Sequence, residues 1–335
     1  MLVLHVYLLL SFVFYTYSYD KGSKVEVLAI TEPVQHSEGP FCDVNNEVLY
    51  YVDTFQATAF RYNLKTAKRS SYKLDGHNSI AVVIPSGENQ DEFIVGADRC
   101  LYRMIWPDCE NVEATLEKLL KVEDEKPTNQ FNDGKVDSRG RLWLGTLTRN
   151  KDLSVAPNGG SLYMFGSEDL QNFEEKVPNT SISNGLAWSS DGKRFYFIDS
   201  APRLVYGYDY HEETGKIGGE KVVFDLHDHP HLKGLPDGMT IDTSDNLWIA
   251  LFGGHSVINI NPRTSKIIRE IKMPVTYVTS VCFGGPNLDV LFVTSSRLHL
   301  NDAQVKEEPL AGCVFAVSNL GVKGLPNNRF NTTYY

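Results

Sequence analysis

Six segments of the chain repeat one grammar: a polar residue, often followed by Gly, then a short apolar run, a polar turn, and a strand of aromatic and β-branched residues. They are EGPFCDVNNEVLYYVD (38–53), NSIAVVIPSGENQDEFIVGAD (78–98), NDGKVDSRGRLWLGT (132–146), NGLAWSSDGKRFYFID (184–199), DGMTIDTSDNLWIA (237–250) and TSVCFGGPNLDVLFVT (279–294). Their starts lie about 40 to 55 residues apart. Each reads as two strands joined by a Gly, Asn or Asp turn. Further strand-like runs, such as AFRYNLKT, CLYRMIW and LVYGYDY, follow before the next unit begins. A helical period shows only weakly, at 110–125. A unit of this size cannot bury its own faces and must pack on its neighbours. The expectation is an all-β, six-bladed β-propeller with four-stranded antiparallel blades, preferred over two β-sandwiches because no linker-like break interrupts the period.

Composition narrows the partners. A formal charge of −10 and no run of clustered Lys or Arg argue against nucleic acid, whose backbone demands such clusters. A small molecule is the expected partner. The first 18 residues, MLVLHVYLLLSFVFYTYS, carry no Asp, Glu, Lys or Arg and offer small residues, Thr16 and Ser18, before a cleavage point. They read as a signal peptide that precedes one propeller domain at 19–335, giving a secreted, monomeric chain with no membrane attachment after cleavage. Sequons at Asn179 and Asn331 fit that route. For an oxidising compartment, the five cysteines suggest pairs Cys100–Cys109 and Cys282–Cys313 with Cys42 free, the first pair because LYRMIWPD reads as a tight connection.

The repeats share a polar register. Five residues before the turn stand Glu38, Asn132, Asn184, Asp237 and Thr279, with Asn78 the nearest candidate in the second unit. The first strand of each blade lines the axial channel, so these positions should converge as a ring. Carboxylates gathered there need a cation or protons to offset their mutual repulsion and desolvation. Oxygen donors without Cys or His favour a hard cation: Ca²⁺ first, Mg²⁺ or Mn²⁺ next, and Zn²⁺ less naturally. Glycines after Glu38, Asn184 and Asp237 suggest close backbone approach to a ligand. The run DLHDHPHLKGL, with His227, His229 and His231, reads as a solvated loop and not as a metal site. Trp143, Trp188 and Trp248 read as core.

The stretches SEGPFCD, NQFNDGKVDSRGRLWLGT, SNGLAWSSDGKRFYFID, LPDGMTIDTSDNLWIA and GCVFAVSNLGVKG resemble the SMP-30/gluconolactonase/luciferin-regenerating-enzyme family across nearly the whole chain. That resemblance implies a divalent metal held by Glu38, Asn184 and Asp237, with Asp237 also the proton acceptor and Asn132 a substrate contact. It implies a metal-dependent lactonase or esterase, the alternative being a secreted calcium- or small-ligand-binding propeller without turnover. Two positions depart from the sugar-lactonase pattern. Gln130 stands where such members carry Arg, and Asn150 falls where they carry Glu. Both are expected substrate contacts, and each change removes a charge-assisted hydrogen bond to a polyhydroxylated substrate.

Overall fold

The computed structural model describes residues 25–109, 113–166 and 169–331. The expected signal peptide lies outside them, as do the Thr residues of the Asn331 sequon, whereas Asn179 is exposed. The architecture is an all-β propeller. Three sheets have the expected four antiparallel strands. The first contains Ser37–Asp43, Val48–Asp53, Thr58–Asn63 and Arg69–Lys73. The second runs from Ile80–Pro85 to Thr115–Lys121, and the other four-stranded sheet from Ser183–Trp188 to Lys216–Asp225. The sheet that begins at Asn129–Val136 gains a short fifth strand, Val155–Ala156. The last two repeats share one eight-stranded sheet, in which Phe252 and Tyr277 form the single residue pair joining two four-strand sets.

The first strands of the six repeats touch one another in a closed circle, the last, Tyr277–Gly284, packing back on Ser37–Asp43. Chain closure follows from the N-terminal strand Glu26–Ala29, which pairs antiparallel with Phe315–Ser318 and so completes the final set with residues from the opposite end of the described chain. Between sheets lie buried clusters of Val, Ile, Leu and aromatic side chains, including Trp143 and Trp248 at 0% exposure. Each of these indoles donates to the turn Asp six residues before it, Asp137 and Asp242, at 2.9 Å. The repeated turn Asp is therefore a structural acceptor that ties the first hairpin to the core.

Residues 323–331 form a strap across the turn-side end of the channel. Thr243 donates to Lys323 O, Asn327 Nδ2 donates to Cys42 O at 3.3 Å, and Arg329 Nη1 meets Asp43 at 2.9 Å. Farther along, Phe330 donates to Pro85 O and Asn331 to Gly140 O. The other end is the one left for small-molecule access.

Several expectations are corrected. All five cysteines are free. Cys100 opens a strand, Cys100–Ile105, so LYRMI is extended and the segment is not a tight connection. At about 3.3 Å rise per residue the strand alone carries the chain well beyond the ~7 Å Cα limit of a disulfide by Ile105. Cys282 pairs with Phe292 on Val290–Ser296, and that strand separates it from the segment holding Cys313. Its neighbour is instead Cys42, and burial followed by the Cys42 thiol keeps Cys282 protonated. The weak helical period resolves as the strand Thr115–Lys121, an outer strand whose partner on Cys100–Ile105 overrides propensity.

Candidate functional site

Every first strand carries a register shift at the same depth: Glu38/Phe41, Ile80/Val82, Phe131/Gly134, Asn184/Leu186, Pro236/Met239 and Val278/Val281. A bulge puts two residues opposite one and re-aims side chains. The aligned polar residues sit at or inside these bulges, and Glu38, Asn132, Asn184 and Asp237 line one pocket of about 160 Å³ on the axis. The two remaining positions do not. Thr279 is fully buried and spends its hydroxyl on Ser37 O and Thr294. In the second repeat the equivalent of Glu38 is Ile80, since Glu38 pairs one residue before Asp53 and Ile80 one residue before Asp98. Asn78 is exposed, and its N–H donates to Asp98.

The loops entering the ring are clamped by carboxylates at the ends of second strands. Asp53 accepts from Gln35 and His36 N–H, Asp98 from Asn78 and Ser79, and Asp199 from Ser181 and Ile182. Asn132 Nδ2 donates to Asn184 Oδ1 at 2.8 Å and to Ser183 O, while Asn184 Nδ2 donates to Ser200 Oγ at 2.8 Å. This chain fixes both amide orientations and leaves the Asn132 carbonyl oxygen for the pocket. Behind the side chains, the three ring glycines serve close approach between neighbouring strands instead of ligand contact. A Cβ on Gly185 would lie 2.8 Å from Asp237 O, and one on Gly238 would overlap the Ser280 side chain.

The charges are unbalanced. Desolvation, then Asp133, raises Glu38 to about 8, against the lowering effect of the Gly39 N–H. Desolvation, then Glu38 and Asp133, raises Asp237 well above the carboxylate range, with Arg149 opposing. His36 is pushed down to about 3 by burial, then by Arg149 and His299, so its ring is neutral. Among the described residues no three His, Cys, Asp or Glu side chains cluster as a metal site. The donors present are two carboxylates and amide oxygens, a set suited to a hard cation, which would hold Glu38 and Asp237 ionised together.

Of the three expected substrate contacts, Asn132 lines the pocket, and Gln130 and Asn150 lie outside its lining. Gln130 is outside the pocket lining, its amide nitrogen buried without a partner. Asn150 is exposed and closes a turn, donating to Ser154 Oγ at 3.0 Å. Arg149, the residue before it, lines the pocket instead, 5.0 Å over the Phe55 ring and donating to Leu153 O at 3.2 Å. Only the position of that hairpin decides which of two adjacent residues faces inward, and the sequence carries no signal for it beyond strand alternation. Phe55, Phe252 and His299 also line the pocket and lie outside the aligned polar positions, Phe55 in the short 3-10 turn Thr54–Gln56, Phe252 at the end of the strand Leu247–Phe252 and His299 in a turn. His227, His229 and His231 assemble no site: His229 stacks on Phe224, and His227 bonds Asp225.

Fold and pocket together define a propeller protein with a carboxylate- and amide-lined axial site. The sequence profile of the SMP-30/Gluconolactonase/LRE-like region matches residues 36–297, and the chain belongs to that family. Regucalcin of Xenopus laevis is 31% identical over 309 residues, covering 92% of this chain and 98% of its own. Regucalcin of Sus scrofa is 40% identical over 210 residues, 62% of this chain and 68% of its own. A solved luciferin-regenerating enzyme shares 36% identity at a TM-score of 0.84, covering 93% of this chain and all of that one. A calcium-binding regucalcin from Agrobacterium tumefaciens has a like fold, with a TM-score of 0.78 at 23% identity over 90% of this chain and 96% of its own.

Proposed function

We propose that the chain is a six-bladed, metal-dependent hydrolase of the lactonase or esterase type, with Glu38, Asn184 and Asp237 holding one divalent cation, Ca²⁺ first. The observation that carries the reading is the pairing of two desolvated carboxylates, both pushed toward protonation, with fixed amides in one axial pocket. A bound cation there would polarise the substrate carbonyl as a Lewis acid. The Asn132 carbonyl oxygen, its amide hydrogens already donated, is free to accept a hydrogen bond from the attacking water. Asp237 takes a proton from the water whose oxygen bonds to the acyl carbon, and returns it to the alkoxide as the acyl C–O bond breaks. Arg149 pairs with the carboxylate that results. The strap closes the other end of the channel, so entry and exit share the open mouth.

The test is hydrolysis of aldonolactones and aryl esters by the purified chain with Ca²⁺, Mn²⁺ or Zn²⁺. Activity with a metal, reduced by about 10²- to 10⁴-fold in Asp237→Ala at retained fold, supports the reading. No hydrolysis with any metal sinks it and leaves a ligand-binding propeller.

A further inference from the structure

The upper part of the pocket does not match a sugar. Its ring-level floor is polar, but the same pocket is lined by Phe55, Leu153, Ile182 and Leu298 from turns and loops and by Leu235 and Phe252 from paired strand ends. Several of the polar groups nearby are committed to one another, the Asn132 carbonyl oxygen and Arg149 Nε being exceptions. Asn132 and Asn184 have given their amide hydrogens to Ser183, Asn184 and Ser200, and the His36 ring is bonded to Ser296 at 2.8 Å. Phe252 also packs against His36, Tyr277 and His299, closing that side as an aromatic wall.

Leu153 adds an independent observation. Among the described residues, three large apolar side chains are exposed: Leu153, Val222 and Ile268. Val222 and Ile268 lie on outermost strands, Lys216–Asp225 and Lys266–Lys272. Leu153 alone lines the pocket, held at the mouth on the Asn150–Ser154 turn with φ at 67° and its carbonyl accepting from Arg149. An apolar side chain kept in water at the entrance of an apolar-walled cavity gains contact only when an apolar ligand covers it.

We propose that the site selects lactones or esters whose acyl ring carries alkyl or aryl substituents, over polyhydroxylated sugar lactones. Resting on the hydrolase reading for its reaction, the selectivity itself comes from the walls. Hydroxyls placed against Phe55, Phe252 and Leu298 lose water without gaining partners. An aryl substituent in the same place covers them and Leu153.

The experiment compares two six-membered rings, δ-phenyl-δ-valerolactone and glucono-δ-lactone, as substrates with the same metal, and their non-hydrolysable lactams as ligands by calorimetry. The expected result is a preference of about 100-fold for the phenyl compound in kcat/KM, with the lactams ranked in the same order. Leu153→Asn, a residue type at ease at this φ, should narrow that preference about tenfold, mainly through KM. Equal or better use of the sugar lactone, or tighter binding of the sugar lactam, overturns the proposal while leaving hydrolysis intact. Selective lactam binding without any turnover would remove the hydrolase reading and leave the selectivity standing.

Discussion

Glu38 shows how one residue couples the site to stability. Desolvation, then Asp133, raises its carboxyl from about 4.5 to about 8. Between those values the unfolded chain has released a proton that the metal-free folded chain keeps. Folding therefore becomes less favourable as pH rises through this window, and the contribution is fully present only below the ordinary value. A cation replaces the proton, so its stabilising effect should grow with pH. Thermal melts in chelator should show the midpoint falling by several degrees from pH 5 to 8, and excess Ca²⁺ should flatten that slope. A chelator curve that does not fall would mean Glu38 is ionised without a metal. A second residue test concerns Gly238, where any Cβ meets Ser280 on the adjoining first strand. Gly238→Ala should cost roughly 1–3 kcal/mol in denaturant unfolding and weaken metal binding through the adjacent Asp237.

Among the elements, the bulged first strand does most to make the site. The five-residue spacing in the sequence located four of its pocket residues, because the distance from ring to turn is constant. It misplaced the second repeat, where Ile80 fills the position and only a paired strand reveals the register. Arg149 and Asn150 were likewise inseparable until the hairpin Leu142–Arg149 to Val155–Ala156 set which one faces inward. The carboxylate clamps were visible in outline as the Asp closing YYVD, VGAD and YFID, but their partners lie 17 to 20 residues back across a strand pair. Asp199→Ala should leave the Ser181 and Ile182 N–H groups unpartnered, costing about 1–3 kcal/mol per group. Because this clamp holds the entry to Asn184, metal affinity should fall as well. Unchanged affinity by calorimetry would show that Asn184 is positioned by the Asn132–Ser200 chain alone.

At the scale of the molecule, the repeats announced a propeller because each unit restates the same buried alternation. Closure could not be read from them. The strand Glu26–Ala29 pairs across the sequence with Phe315–Ser318, and the strap at 323–331 has no periodicity to betray it. The Cys282–Cys313 pairing failed for the same reason, since separation across an intervening strand is a property of the assembled sheet. What the assembled ring does is bring Glu38, Asn184 and Asp237, from the first, fourth and fifth repeats, into the lining of one pocket. Calorimetric titration of Ca²⁺ into the chelator-treated chain and its Glu38→Gln variant tests that convergence most directly. One ion per chain, bound with proton release below pH 8 and at least about tenfold more weakly by the variant, is the result predicted. No binding, or equal affinity in both proteins, would contradict it.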